Sequence, residues 1–513
     1  MTAPSGRDVA HEIPTGWVGR IQREVADIRH AWSDGITRYG MVGTFLILLG
    51  SLSPAALPPA NPFRELPVLG WFQTTVAGLV VSTAFTIVGV VVLLDAWLRL
   101  RPAAARPGLT RGTIWLWSLP LLPAPPLLSF DAYSYAAQGE MVHRGISPYE
   151  FGPAVLDGLF QEQVDHYWQY TPAPYGPLSL QIQHLVVDLT GHNAYLSAVL
   201  MRIPAFIGVL LVALYLPRLA RLLGYDREST VWLAVLNPLV ILHFVGGAHN
   251  DSLMVGLMVL GLWLAATRHL LVGALAIAAA ASIKQPAAAA ILAVGALHTW
   301  RTKDWQQPTN REVIKHIVPA GLVFLAGFVA IGLASGLGFG WIAAIGVPGS
   351  VRSMLAPVTA IGAGLEWLFN QVGWTDTAGA AVGFMQKLGT LVGLAVMAWL
   401  VWRFKAKHPV RTLGWILLAF VITGAVIHPW YLLWGGLIFA MTESELKWRR
   451  TVLWVSSFFV FYSTFDAAHF KNSVSSFAAT AMVALAWFAT GHDKGLNRDL
   501  DHARRRRPAA PSD

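Results

Sequence analysis

Cysteine is absent from the 513-residue chain, which excludes disulfides and thiolate metal sites without assigning a compartment. Charge is also scarce. Asp, Glu, Lys and Arg supply 13% of the residues, against roughly 25% in a soluble globular domain. In place of charge stand hydrophobic residues, 55% of the chain, gathered into runs long enough to cross about 30 Å of hydrocarbon as helices. No ten-residue alternation points to a barrel. The chain therefore reads as an all-α polytopic membrane protein. Also missing is any phosphate loop of the G-x-x-x-x-G-K-[ST] kind, and "GLGFGW" at 336–341 has no preceding strand to make it a dinucleotide fingerprint. The single Asp-x-Asp, Asp499 to Asp501, lies in a charged tail and reads as solvated.

Spans are predicted near 38–54, 72–98 and 112–128, in a near-continuous series from 194 to 335 that includes 229–246, and from 384 onward to a final one at 474–490. Residues 336–383 are apolar but broken by Pro357 and nearby glycines, and are read as a second outer segment that re-enters or forms two short spans. The count is about 14. The expected organisation is a cytoplasmic tail at 1–37, a membrane domain at 38–490 with a large outer loop at 129–193, and a basic disordered cytoplasmic tail at 491–513. Arg7, Arg20, Arg23 and Arg29 precede the first span without an apolar core, so that span is expected to act as its own insertion signal. With the N-terminus inside, 30 of the 37 lysines and arginines fall on the inner side, a strong positive-inside bias. That bias and anionic lipid account for the net charge of +9 without a nucleic-acid partner.

The same topology gathers the polar motifs on the outer face. They are "SFDAYSYAAQGEMVHRGISPYEFGP" beginning at Ser129, "AHND" at Ala248 to Asp251, "IKQP" at Ile283 to Pro286, Arg352, and "HPWY" at His428 to Tyr431. Each has a plain reading. Asp131 would cap a helix beginning at Ala132; "AHND" would be a tight turn; Lys284 would snorkel to headgroups; His428-Pro429 would start a helix. Glu140 and His143 share a helix face, but the sequence shows no third metal ligand, and no metal or other cofactor is expected. The loop at 129–193 is read as short amphipathic helices plus a proline-held substrate loop. Its aromatic stretch "DHYWQYTPAPYGPLS" offers Trp168, Tyr170 and Tyr175 as faces on which sugar rings stack.

Taken together, one outer carboxylate with nearby Lys, Arg and His fits attack of a hydroxyl on the anomeric carbon of a sugar phosphate. Asp131 would take the proton, and Lys284, Arg352 and His428 would hold the departing phosphate. Asp251 is the fallback or supporting acid. A single displacement inverts the anomeric centre. With no nucleotide site and a site level with the lipid, a polyprenyl phosphate sugar is the expected donor. Remaining candidate substrate contacts are Tyr133, Tyr135, Glu140, His249, Asn250, Gln285, Trp430 and Tyr431. A lipid-linked sugar flippase is the alternative class, expected to show midplane polar residues and internal repeats that are not evident here.

At "FDAYSYAAQGEMVHRGISPYEFGP", "YTPAPYGPL", "AHNDSLMVGLM", "SIKQP" and "HPWYLLW" the chain resembles the actinobacterial polyprenol-phosphomannose-dependent α-(1→6) mannosyltransferases of the MptA/MptB type, over roughly residues 40–470. The resemblance implies a GT-C helical bundle in the plasma membrane with its active site facing the periplasm. It implies mannose donated by polyprenyl-phosphate mannose to a lipid-anchored α-(1→6) mannan of lipomannan and lipoarabinomannan. It also implies that the acid of the first large outer loop, here Asp131, is the base. That loop comes later in this chain than is common in the superfamily, as an extra N-terminal hairpin would explain. The nearest alternative within the superfamily is an arabinofuranosyl or other polyprenyl-linked glycosyltransferase.

Overall fold

The computed structural model describes residues 17–102, 111–347, 352–404, 406–467, 476 and 479–484. Most of the span expected at 474–490, the Asp-x-Asp and the C-terminal basic run lie outside these. Among the described residues every regular element is helical. The helices that frame the molecule are α1 (Gly35–Gly50), α2 (Val76–Arg99), α3 (Asp131–His143), α4 (Pro177–Leu189), α5 (Arg202–Leu222), α6 (Asp251–Ala266), α7 (Leu270–Ala281), α8 (Asn310–Ala334), α9 (Thr375–Phe404), α10 (Pro409–Thr423), α11 (Leu432–Thr442) and α12 (Leu446–Phe465).

Among the described residues four helices are long and apolar enough to cross a membrane: α2, α5 with its lead-in from Ala194, α8 and α9. The expected span at 229–246 is instead two helical pieces, Arg227–Val235 and Val240–Gly246, bent by 59°. The break falls at Asn237-Pro238, because proline lacks an N–H and disfavours helical geometry in the residue before it. Asn237 satisfies the freed backbone there. Its Nδ2 donates to the Leu233 carbonyl at 3.1 Å and to Ser456 Oγ at 2.7 Å, and its Oδ1 accepts from Leu239 N at 3.0 Å. Other expected spans are shorter apolar helices, such as α6 with 16 residues and α7 with 12, which reach about 24 and 18 Å. The architecture is thus all-helical, with several apolar spans as a polytopic membrane protein requires.

Helix ends follow local chemistry. α8 begins with a capping box in which Thr309 Oγ1 accepts from Glu312 N while the Glu312 carboxylate accepts from Thr309 N at 2.8 Å. Two further features stand in the expected tail and outer loop. Part of the expected N-terminal tail is a helix, Trp17–Ser33, tied to Arg111 through Glu24 at 2.6 Å and Asp27 at 3.4 Å. The outer loop does hold short helices, but α3 is not amphipathic: every residue from Ala132 to Met141 is buried. It lies inside the protein, wrapped by α4 and the helix Ala194–Leu200. By contrast only 11% of the apolar stretch of α8 and 17% of that of α9 are buried, leaving the outward apolar surface that lipid covers.

Candidate active site

Asp131 is the first residue of α3. Phe130 holds the N-cap position with no side-chain cap, and the Asp131 amide donates to Ser129 Oγ at 3.1 Å. The carboxylate is therefore not consumed in capping and lines a cleft of about 360 Å³ shared with Trp168, Arg352, His428 and Trp430. Its Oδ2 lies 3.5 Å from His249 Nδ1 and accepts at the same distance from the hydroxyl of Tyr135, one turn along α3. These are long contacts that leave the carboxylate weakly engaged. His249 is placed by a tight turn in which Ala248 adopts a φ of 55°. The His249 ring stacks on Trp430 at 3.8 Å, and Trp430 stacks on His428 at 4.5 Å. Motifs distant in sequence are thus joined through one aromatic ladder.

The electrostatics follow from this packing. Burial pushes the Asp131 carboxyl up, but the contact and charge of His249 and then the charge of His428 outweigh it, holding the group at about 2. His428 is lowered to about 4, chiefly by burial, against the opposing pull of Asp131. At neutral pH the cleft therefore presents an ionised carboxylate beside an uncharged imidazole.

Behind the cleft sits a second, closed cluster. Asp251, the first residue of α6, is wholly buried. It accepts from Lys284 Nζ at 2.8 Å and from Trp434 Nε1 at 2.6 Å. The Lys284 ammonium also lies 4.5 Å from the centre of the Tyr431 ring, 5.1 Å from Trp434 and 5.5 Å from Tyr175. Lys284, expected on the phosphate, is therefore absorbed by Asp251 and the aromatic rings and does not line the cleft. Gly176 makes this approach possible: its amide donates to the Ile283 carbonyl at 3.0 Å, and a side chain there would collide with the Ser282 backbone. Lacking one, it seats Tyr175 against the turn that carries Lys284.

The other candidates divide. Trp168, Arg352, His428 and Trp430 line the cleft, and Tyr135, Tyr175, His249 and Tyr431 stand just behind it. Arg352 is held by Glu366 through contacts of 2.6 and 3.2 Å. Away from it, the Tyr133 hydroxyl donates to the Ala56 carbonyl at 3.1 Å. Glu140 pairs at 2.8 Å with both Arg144 and His192. Asn250 donates to Ser179 Oγ at 3.0 Å, and Gln285 to the Pro174 carbonyl at 3.2 Å. Tyr170 is exposed on the outer surface against His166.

Sequence reasoning missed two kinds of residue. His243, Asp165, Ser463 and Asp466 also line the cleft; His243, alone in an apolar run, was the available signal. Arg202 counted only as an outer charge, yet it is buried and donates to five carbonyls. Its partners are Val245 at 2.8 Å, Leu122 at 2.7 Å, Ala124 at 2.8 Å, Gly246 at 2.8 Å and Pro125 at 3.3 Å. It thereby ties the proline-rich entry to Asp131 onto the segment that enters His249.

This geometry lies within sequence patterns known elsewhere. Residues 37–300 match the family profile described as alpha-(1->6)-mannopyranosyltransferase, N-terminal domain, and residues 358–491 match the MptB C-terminal domain. A probable alpha-(1->6)-mannopyranosyltransferase of Mycolicibacterium smegmatis is 34% identical over 439 residues, 77% of each chain. Alpha-(1->6)-mannopyranosyltransferase A of Mycobacterium tuberculosis is 29% identical, covering 88% of this chain and 89% of the relative. Alpha-(1->6)-mannopyranosyltransferase B of Corynebacterium glutamicum is 28% identical, covering 85% and 77%. With both of its main regions matched in this way, the chain belongs to the MptA/MptB family of α-(1→6)-mannopyranosyltransferases and is a glycosyltransferase.

Proposed function

We propose that this enzyme is an inverting mannosyltransferase that moves mannose from polyprenyl-phosphate mannose to a growing α-(1→6) mannan of lipomannan and lipoarabinomannan. It works at the periplasmic face of a GT-C bundle of about 14 crossings. The observation that carries the reading is the ionised, loosely held Asp131 carboxylate on the wall of the cleft. Such a group accepts the proton of an attacking sugar hydroxyl as the bond to the anomeric carbon forms on the face opposite the phosphate. The phosphate leaves as a stable anion and needs donors rather than an acid. Arg352 is the cation on the cleft wall suited to that task, with His428 donating a ring N–H, while Lys284 contributes by fixing Asp251. Trp168 and Trp430 offer ring faces to the sugars. The printed names of the relatives favour mannose and an α-(1→6) linkage.

The test is transfer of labelled mannose from polyprenyl-phosphate mannose to a short α-(1→6) mannoside by the wild type and Asp131→Asn at equal abundance. Extension by the wild type alone supports the reading. Equal activity removes Asp131 as the base. A wild type that extends the acceptor only with an arabinofuranosyl donor overturns the donor assignment.

A further inference from the structure

Outside the cleft, three potential ligand side chains converge where the end of α3 meets α4. His143 lies in the last turn of α3. His184 and Asp188 stand four apart on α4 and so share a face. His143 Nδ1 is 3.0 Å from Asp188 Oδ1, His184 Nε2 is 3.3 Å from Asp188 Oδ2, and one ligand atom from each of the three lies within 4.8 Å of the others. Ligand atoms around a tetrahedral zinc ion, bound at about 2.0–2.1 Å, stand roughly 3.3 Å from one another. The two histidines each approach one oxygen of Asp188 at about this separation, and the three residues stand close enough for small rotamer shifts to complete the set.

A second observation points the same way. Gln181 Nε2 donates to the Ser335 carbonyl at 2.6 Å, which leaves the Gln181 oxygen to accept; His184 Nδ1 lies 3.2 Å from it. Nδ1 therefore carries a proton, and in the neutral ring the lone pair of His184 is on Nε2, directed at the cluster. Metal-bound histidines are oriented in this manner, their far nitrogen donating to a fixed oxygen. The side chains are 27–43% exposed, so a hydrated ion can reach them. Two imidazoles and one carboxylate select a transition ion of the zinc type over magnesium or calcium.

We propose that His143, His184 and Asp188 bind one divalent ion of the zinc type, with water completing the coordination. The bound ion clamps the outer end of α3 to α4. Because α3 carries Asp131 at its other end, the clamp fixes the helix that presents the carboxylate while standing apart from the cleft.

The test uses purified, tag-free, chelator-stripped full-length protein in detergent at pH 7.5, titrated with Zn²⁺ or Mg²⁺ and followed by calorimetry and melting temperature. One Zn²⁺ per chain with micromolar or tighter affinity is expected, with a rise in melting temperature and no response to Mg²⁺. His143→Gln with His184→Gln abolishes both Zn²⁺ effects, and Gln181→Leu weakens binding about 10–100-fold by freeing the ring. These residues are on the surface, so the unliganded variants should melt as the stripped wild type does. The absence of stoichiometric Zn²⁺ binding overturns the proposal, as does binding that survives the double variant. A melting temperature that responds to pH near neutrality but not to Zn²⁺ also overturns it, because the contacts are then ion pairs of protonated histidine.

Discussion

Asp131 and Asp251 each open a helix, but their surroundings differ in nearly every respect. Asp131 keeps 17% of its side chain exposed and touches His249 and Tyr135 only at 3.5 Å. Asp251 is fully buried, with Lys284 at 2.8 Å and Trp434 at 2.6 Å. Both contacts fall on Oδ1 of Asp251, and its Oδ2 has no partner but is enclosed, so the carboxylate is shut away from a substrate, and removing its charged partner is costly. A carboxylate with long contacts on the wall of a cleft is available for chemistry. On the proposed mechanism, catalysis would fall to the first and the integrity of the site to the second.

The comparison breaks most directly at Asp131. Asp131→Asn is nearly isosteric, so kcat is expected to fall by about 10³-fold, in the range of a lost general base, while stability falls by no more than about 2 kcal/mol, the attraction of His249 and His428 that holds the carboxyl at about 2 being lost. Steady-state transfer and thermal unfolding on the same preparation check this. Asp251→Asn should reverse the pattern: it strands a buried ammonium, with a loss of about 3 kcal/mol or more of stability. Asp251→Asn combined with Lys284→Met removes both charges and should recover most of that loss. An Asp251→Asn protein that melts normally but transfers no mannose, beside an active Asp131→Asn, would exchange the two roles.

Titration sharpens the contrast within the cleft. The His428 ring is depressed from 6.5 to about 4, mainly by burial. The unfolded chain therefore binds this proton more readily, and the stability present above pH 6.5 is lost as the pH falls toward 4. By pH 5 the loss from this one group is about 2 kcal/mol. Asp131, held at about 2, is ionised in the folded and the unfolded chain alike down to about pH 5 and contributes almost nothing to the change above it. Melting curves at pH 7.5 and pH 5 should show a smaller drop in His428→Gln than in the wild type; equal drops would place the sensitive group elsewhere.

Much of this contrast was legible in the sequence and some of it was not. Asp131, His428 and Trp430 were readable because polar residues at the rim of apolar runs stand out against 13% charge. The partnership of Lys284 with Asp251 was not, because it depends on how α6 and the turn after α7 pack, and hydropathy carries no record of which outer charge faces which. Charge counting placed Arg202 on the outer side but missed its burial, since five carbonyl acceptors leave no mark in a side-chain pattern. Hydropathy located the apolar run at 229–246 but not its bend, although Asn237-Pro238 announced one. Tyr133 and Glu140 sit on α3 with Asp131 but face other neighbours, a difference that a shared motif cannot reveal.

Arg352 provides the mildest test of the same contrast, because it is an open cation whose counterpart, Lys284, is closed. It lines the cleft with 61% of its side chain exposed and leans on Glu366. An exposed pair of this kind contributes at most about 1 kcal/mol to stability, so Arg352→Gln should melt like the wild type. If the guanidinium meets the donor phosphate in both the bound and the transition state, KM for the donor rises several-fold while kcat is unchanged. Glu366→Gln releases Arg352 toward the cleft and should leave KM equal or lower, which separates loss of the cation from loss of the pair. A fall in kcat with KM unchanged would mean that Arg352 acts on the charge developing as the phosphate departs, moving it from donor binding into the chemical step beside Asp131.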